Sequence, residues 1–519
     1  MSTDPRLAPP AWAATTARRV RVRARLVALV AAPLAVVYMA WLLRPGRVGH
    51  PLLYGLLATA EAFNLWQALG FWWTAWHDRG ARPAPRAMEG AAVDVLIPVY
   101  DEPVEIVAPT VAAASRLRGA RVRVAVLDDK GRPELAEVAA AHGASYLRRG
   151  VNTGAKAGNL NAALARTSAP LVLVLDCDHV ADPRLLEQTV GHFADPRVAF
   201  VQTPQYYANA CPDGAPDRGG GPRNGITDAA WAQQALFFGV IARGKDAMGA
   251  MFCCGTNVVL RRRALDAVGG FPEDSLTEDF ELSLRLHEAG WRSVYVPTVL
   301  ASGLGPEDMA SYVSQQHRWA SGCISAVPRV LRSVLPWRVK AQYLLSASYF
   351  LSGWTVLVYM ALPVIRILTG AQPLAQASAD QFLAHFAPYF GMALLAVGVA
   401  GAGAYTFGAF ALGFASFFVH VHALAATVLG RAGRFVVTPK QGRRGVQLRP
   451  VLAPLTAMAV LGSAAVWGLA QETTPAMLNN VAFAALHLGV LAAGVRPALV
   501  PARAAARAER RHDERRAAA

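Results

Sequence analysis

The chain of 519 residues carries 51 Lys and Arg against 35 Asp and Glu, a formal net charge of +16, and is 54% hydrophobic with only 17% charged residues. Its mean hydropathy of +0.28 excludes intrinsic disorder and argues against a wholly soluble protein. On a soluble chain such a charge would point to nucleic acid; basic and apolar together read as a membrane protein with cytoplasmic arginines, so no nucleic-acid partner is expected.

The apolar residues fall in two blocks. Residues 1–24 form a basic tail, and residues 25–73 contain two apolar runs, 25–43 and 51–73, each close to the roughly 20 residues that cross hydrocarbon. Residues 92–335 hold most of the acids and no long apolar stretch. The second block, 336–495, gives spans at 343–365, 386–406, 451–470 and 477–495, and a basic tail, 496–519, follows. Segment 408–430 is ambiguous. An even number of crossings requires it to lie at the interface, which leaves six spans, and its His420 and His422 then read as polar interface residues.

Orientation follows from the arginines. Arg18, Arg19, Arg21, Arg23 and Arg25 begin the first block; Arg503, Arg507, Arg510, Arg511, Arg515 and Arg516 follow the last; the 431–449 loop is basic without an acid. The positive-inside rule places both termini, the central domain and this loop in the cytoplasm of an inner-membrane protein. Arg44 and Arg47, in a short external loop, count against this. No cleavable signal peptide is expected. All five cysteines (Cys177, Cys211, Cys253, Cys254, Cys323) lie in the central domain, where a cytoplasmic setting keeps them reduced and no spacing suggests zinc.

Within 92–335, the run from Val93 reads as a buried strand ending in the turn Tyr100-Asp-Glu102-Pro. Val122 to Asp128-Asp129 and Leu171 to Asp176-Cys-Asp178 read the same way. Continuous apolar strands alternating with helical runs predict a parallel α/β sheet, whose ligands sit at the carboxyl ends of the strands. Acids from three strand ends then crowd one crevice. A hard dication, Mg2+ or Mn2+, resolves their repulsion by taking oxygen ligands and bridging to substrate phosphates.

Further along come Lys156-Ala-Gly-Asn-Leu-Asn161, Phe200-Val-Gln202-Thr-Pro-Gln205, Phe252-Cys-Cys254-Gly-Thr256, Thr277-Glu278-Asp279 and Gln315-Gln-His-Arg318-Trp319. The series DD, DxD, TED and QxxRW, in this order, resembles the processive family-2 glycosyltransferases, bacterial cellulose synthase catalytic subunits above all. Phe435, Val437, Thr438 and Lys440 resemble the gating loop of that family, placed here at 434–442. The resemblance implies an A-type, Rossmann-like glycosyltransferase domain inserted in an all-α multi-pass transmembrane domain. It implies a UDP-sugar donor, UDP-glucose for a β-1,4-glucan, with the growing glycan passing through the helices and an accessory export subunit as a further partner. Tyr100, Glu102 and Asp128, with Asp129, are then expected at the uridine pocket. Asp176 and Asp178 are expected to hold the metal, Lys156 and Arg318, with Gln315, to meet the donor diphosphate, and Asp279, beside Thr277 and Glu278, to be the general base. Trp319 and Cys254 are expected at the acceptor end. Read without the resemblance, Glu278 and Asp279 also suit a cap on a helix over 280–289, and Gln315 and Arg318 begin an amphipathic interface helix.

Three features depart from the family pattern. Val99 and Asp101 replace the more usual Thr and Asn, and the finger reads Phe-Cys-Cys-Gly-Thr-Asn257. After the last span only a short Arg/Ala-rich tail remains, where regulated cellulose synthases carry a cyclic-di-GMP-binding barrel. Arg503 and Arg507 match that barrel's arginine spacing, which composition alone explains, so this regulation is not expected and a tail resting on anionic lipid is. Another β-glycan (β-1,3-glucan, mannan, mixed linkage) is the alternative product, and a non-enzymatic transporter or scaffold leaves the strand-end acids without a purpose.

Overall fold

A computed structural model describes residues 18–80, 85, 88, 90–210, 224–430 and 445–500. Two long helices, α1 (Arg18–Leu42) and α2 (Pro51–His77), lead into the central domain. There β1 (Ala92–Val99), α3 (Val104–Ala114), β2 (Arg121–Asp128), α4 (Pro133–Ala141), β3 (Ser145–Arg148), α5 (Ala155–Leu164) and β4 (Leu171–Val174) alternate. They are followed by β5 (Val180–Ala181), α6 (Leu185–Thr189), β6 (Val198–Gln202), α7 (Gly225–Leu236), α8 (Ala242–Ala247), β7 (Val258–Arg261), α9 (Arg262–Ala267), α10 (Glu278–Glu288), β8 (Arg292–Tyr295) and β9 (Ala301–Ser302).

Seven strands form one sheet in the order β3-β2-β1-β4-β7-β6-β8, while β5 and β9 make a separate antiparallel ribbon. The first three acid-ended strands, β1, β2 and β4, are parallel as their apolar runs predict. The sheet as a whole is mixed, because β7 runs antiparallel to both β4 and β6. Strands buried on both faces explain the unbroken apolar spelling. Val93, Val95 and Ile97 pack on one face with Val107, Val111 and Leu186, while Leu96 packs on the other with Leu160, Phe200 and Leu282. Each such side chain, fully withdrawn from water, contributes roughly 2 kcal/mol. The chain leaves β1 toward β2 and β3, then returns to β4 on the opposite side of β1. At such a switch the loops diverge and leave a crevice over the carboxyl ends of β1 and β4.

The membrane-facing part begins with α11 (Met309–Arg332), whose N-terminus is capped by Asp308 through the Ser311 N–H at 2.8 Å. Then come α12 (Trp337–Tyr349), α13 (Gly353–Thr369), α14 (Ala379–Ala400), α15 (Phe407–Ala415), α16 (Phe417–Val428), α17 (Leu452–Gln471) and α18 (Pro475–Leu499). Among the described residues α1, α14, α17 and α18 are long and apolar enough to cross a membrane. The bent pairs α12–α13 (49°) and α15–α16 (40°) raise this to six if each is one span. Two sequence expectations shift here. Segment 408–430, read as lying at the interface, passes the same length and composition test once its two halves are joined. Helix α2, read as a span, does not pass it, since Glu61, Asn64 and Gln67 dilute its hydropathy. Those groups face protein: Glu61 is 2% exposed, Asn64 donates to the Tyr359 hydroxyl at 2.7 Å and Gln67 to Ser348 Oγ at 2.8 Å. At 27 residues α2 measures about 40 Å. Outward apolar side chains such as Leu29, Val36, Val466 and Trp467 suit lipid.

The central domain is fastened to these helices through α8. Arg243 forms a buried pair with Asp78 just past α2, at 2.8 Å. Gly244 lies against the Thr74 backbone so closely that any Cβ would collide. Lys245 donates to the carbonyl and side-chain oxygens of Gln342 in α12 at 2.6 and 3.0 Å. It has no acidic partner among the described residues, and burial pulls its ammonium down to about 7.

Candidate active site

A cleft of about 800 Å³ opens at the switch point between β1 and β4. Its walls bring together Tyr100, Glu102, Asp129, Lys156, Asp176, Asp178, Cys254, Thr277, Glu278, Asp279, Gln315, Arg318 and Trp319, residues spread over some 220 positions of chain. Phe435, Val437, Thr438 and Lys440 of the expected gating loop lie outside the described residues, as do Cys211 and residues 1–17 and 501–519 of the terminal tails; the rest of the first tail, from Arg18, is already helical in α1, and α18 runs on to Leu499.

At the β1 end, Tyr100 is 39% exposed and its ring lies 5.2 Å from the Lys130 ammonium, itself 2.6 Å from Asp101. Glu102 Oε2 accepts the Tyr100 and Asp101 N–H groups at 2.9 and 3.2 Å, which shapes the turn beneath the ring. Asp128 is placed otherwise than expected. It is fully buried and does not line the cleft. Its carboxylate accepts the Arg132 and Lys130 N–H groups at 2.6 and 3.1 Å and the Tyr146 hydroxyl at 2.9 Å. Burial works against its charge, but these hydrogen bonds prevail and hold its pKa below the ordinary carboxylate value. Asp128 thus braces the 128–132 turn. Asp129 reaches the cleft, but Arg149 holds both of its oxygens, at 2.5 and 2.9 Å.

Arg149 also donates to the Thr153 carbonyl, Asn152 Oδ1 (2.7 Å) and the Ala155 carbonyl (2.9 Å). This fixes a turn in which Gly154 and Ala155 both have positive φ, 68° and 45°, a conformation that costs a non-glycine residue roughly 1 kcal/mol or more. The turn starts α5 and aims Lys156 into the cleft, where its Nζ lies 2.5 Å from Asp176 Oδ1 and 2.8 Å from the Gly255 carbonyl. Burial would lower the Lys156 pKa, yet Asp176, Glu278 and Asp279 around it hold it above the ordinary value.

Asp176, two residues past β4, has its N–H held by Thr256 Oγ1 at 2.8 Å. Asp178 Oδ2 accepts the Leu304 N–H at 3.0 Å, and its Oδ1 lies 3.2 Å from His179 Nδ1. Ligand atoms of Asp176, Asp178 and His179 all lie within 4.8 Å of one another, and the buried His179 Nε2 has no partner among the described residues. Two carboxylates and an imidazole are a donor set fit for a divalent cation. His179 was missed in the sequence, since a residue directly after DxD carries no spacing signal of its own.

The opposite wall is the 252–256 finger, which Gln202 supports. Gln202 accepts the Cys254 N–H at 2.8 Å and donates to the Thr203 and Thr256 carbonyls at 2.7 and 2.8 Å. Gly255 (φ +77°) lets the finger come down on Asp279, since a Cβ there would stand 3.1 Å from Asp279 Oδ2. Glu278 and Asp279 open α10 directly, so the helix begins two residues earlier than expected, and Thr277 makes no side-chain cap. Asp279 Oδ1 takes the Phe280 N–H at 2.8 Å. Burial and the adjoining Glu278 carboxylate raise the Asp279 pKa to about 7, against the pull of that N–H, Lys156 and Arg318. A carboxyl poised near neutrality is suited to take a proton. Burial likewise raises the Cys254 thiol well above its usual range, which keeps it neutral. Gln315, Arg318 and Trp319 project from one face of α11, as helical spacing allows.

A mixed sheet with an acidic pair at its switch point, opposed by a lysine, an arginine and a poised carboxyl, defines a glycosyltransferase domain of the A-type fold. The same fold occurs in a mannosyltransferase from Pyrobaculum calidifontis solved with GDP-mannose and Mn2+, at a TM-score of 0.54 and 18% identity over 73% of this chain and 99% of that one. Residues 171–403, from β4 through α14, match the family described as Glycosyl transferase family group 2. Among curated proteins the chain is 36% identical to cellulose synthase 1 catalytic subunit (UDP-forming) of Komagataeibacter xylinus, over 55% of this chain and 37% of that protein. It is 32% identical to cellulose synthase catalytic subunit (UDP-forming) of Pseudomonas fluorescens (65% and 46%) and 33% identical to cellulose synthase 1 of Novacetimonas hansenii (68% and 23%). Residues 171–403 thus resemble a family-2 glycosyltransferase domain, and the chain is cellulose-synthase-like in sequence. It spans less than half the length of each of these relatives.

Proposed function

We propose that this protein is a membrane-embedded processive β-glycosyltransferase that polymerises sugar from a UDP-sugar, UDP-glucose into β-1,4-glucan, and passes the product through its own helices. The observation that carries this reading is the convergence of Lys156, Asp176, Asp178, Asp279, Arg318 and Trp319 on one cleft, beside helices apolar enough to cross a membrane. The name UDP-forming borne by relatives supports the donor.

In the proposed reaction an acceptor hydroxyl attacks the anomeric carbon of the donor. The new C–O bond forms as the bond to UDP breaks, Asp279 takes the hydroxyl proton, and UDP leaves with the electron pair. Lys156 and Arg318 face the departing diphosphate and offset its developing charge. Tyr100 offers its exposed ring to the uracil, and Trp319 its ring to the apolar face of an acceptor sugar. Asp176, Asp178 and His179 would hold Mg2+ or Mn2+, which when bound neutralises diphosphate charge. The catalytic domain, both termini and the 434–442 loop are assigned to the cytoplasm on the arginine distribution, with an export subunit as the proposed partner for the emerging glycan.

The test is incorporation of labelled UDP-glucose into polymer by membrane vesicles with Mg2+, followed by digestion with linkage-specific glycanases. Wild type yields β-1,4-glucanase-sensitive polymer and Asp279→Asn yields none. Equal donor turnover by the two would overturn the mechanism, and resistance to β-1,4-glucanase would overturn the product.

A further inference from the structure

His317 precedes Arg318 on α11 but points away from the cleft, and His422 stands two turns before the end of α16. Across a separation of 105 residues, His317 Nε2 and His422 Nδ1 approach to 2.8 Å, with ring centroids 4.9 Å apart and planes tilted by 44°. Beneath the rings the two helices touch through Ala320 and Ala423, both fully buried, with Ile324 beside them. Such small residues bring the backbones close and fix where the rings meet. Among the described residues neither histidine pairs with a carboxylate. His422 is exposed, so the outer side of the pair is not covered by the described residues. His420 on the same helix belongs to a different environment, buried against Tyr349, Phe350 and Ser352.

From this geometry we propose that His317 and His422 form a second metal site, separate from the acidic cleft, that takes a borderline divalent transition-metal cation such as Zn2+ or Ni2+. Two imidazole nitrogens at the usual 2.0–2.1 Å from a tetrahedral zinc lie about 3.3 Å apart, so replacing the shared proton by a cation moves these nitrogens apart by about half an ångström and tilts each ring so that both lone pairs meet at the metal. Imidazole donors favour zinc, nickel and copper, whereas Mg2+ prefers oxygen, so Mg2+ does not compete at the histidine pair. Burial and the neighbouring His422 lower the His317 pKa, which keeps that ring in the neutral, ligating form at pH 7. A bound cation ties α11, which presents Gln315, Arg318 and Trp319 to the cleft, to α16, which leads in sequence to residues 431–444. The site does not depend on the proposed reaction and is read by binding alone.

The test uses the purified full chain in detergent at neutral pH with excess Mg2+ and UDP, and follows Zn2+ uptake by competition with a chromophoric chelator. Wild type should bind one Zn2+ beyond the Mg2+-occupied cleft. His317→Gln and His422→Gln should each weaken it at least about tenfold, and His420→Gln should not. Both glutamine variants should keep the wild-type melting midpoint in the absence of Zn2+, which separates loss of a ligand from loss of the local fold. Absence of Zn2+ binding by wild type, or binding unchanged in both glutamine variants, overturns the proposal and leaves the pair as a hydrogen bond.

Discussion

Asp279 offers the sharpest test of the proposed chemistry. Its ordinary pKa of 3.8 is raised to about 7, first by burial and then by Glu278. A base with that value is about one-tenth ionised at pH 6 and about nine-tenths ionised at pH 8. The free enzyme's kcat/KM for donor should therefore rise about tenfold between these two pH values, because that ratio reports the unliganded base. Replacing Glu278 by Gln removes the like charge and keeps the shape. The acidic limb should then move to lower pH and activity at pH 6 should gain severalfold relative to pH 8. The assay is UDP release from detergent-solubilised protein at low donor concentration, with saturating Mg2+ at every pH. A profile flat from pH 6 to 8 in wild type, or a limb that stays in place in Glu278→Gln, would refute the assignment of Asp279 as a base tuned by its neighbours.

The same shift has a consequence for stability. A carboxyl whose folded pKa is raised favours the fold while protonated, and that contribution is lost as pH rises through about 7. Asp279→Asn should then raise the melting midpoint more at pH 8 than at pH 5, as thermal denaturation would show. Lys245 works in the opposite direction: burial depresses it from 10.5 to about 7, so its cost grows as pH falls between these values and is constant below about 7. Lys245→Met should gain stability relative to wild type, and more at pH 6 than at pH 9. Arg149→Ala should destabilise the catalytic domain by about 3 kcal/mol by leaving Asp129 buried and unpaired, measured by denaturant unfolding. Arg149→Lys, which keeps charge but lacks the planar fork, should raise donor KM through misplacement of Lys156. Gly255→Ala places a methyl 3.1 Å from Asp279 Oδ2 at φ +77°; activity should fall at least about tenfold, since such a backbone costs an alanine roughly 1–2 kcal/mol.

Much of the candidate site was legible before folding because strand-end acids, TED and QxxRW are local spellings. Tyr100 and Asp176 are found on the cleft where the α/β alternation places them, and Asp279 where the family resemblance implies it. Asp128 shows the limit of that reasoning. Its position at the end of β2 suits a pocket residue, yet its carboxylate turns inward to the Lys130 and Arg132 amides, and nothing in the run Asp128-Asp129 says which acid will do so. Arg149 gave no signal, because its role lies in reaching five groups at once: two oxygens of Asp129, the Asn152 side chain and two carbonyls of the following turn. Helix α2 makes the same point in the membrane part. Average hydropathy cannot show that Glu61, Asn64 and Gln67 share an inward face.

By itself, the sequence determined a greasy, basic chain with a central α/β domain between apolar blocks, and which residue types supply the chemistry. Composition and periodicity suffice for this, since burial of apolar surface depends on local pattern. The tertiary structure alone decided the antiparallel entry of β7, the joining of α8 to α2 and α12, and the partners that tune each charge. It also brought His317 and His422 together. These depend on contacts between segments far apart in the chain. Over such separations electrostatics and hydrogen bonding act through distances of a few ångströms that no spacing along the chain encodes.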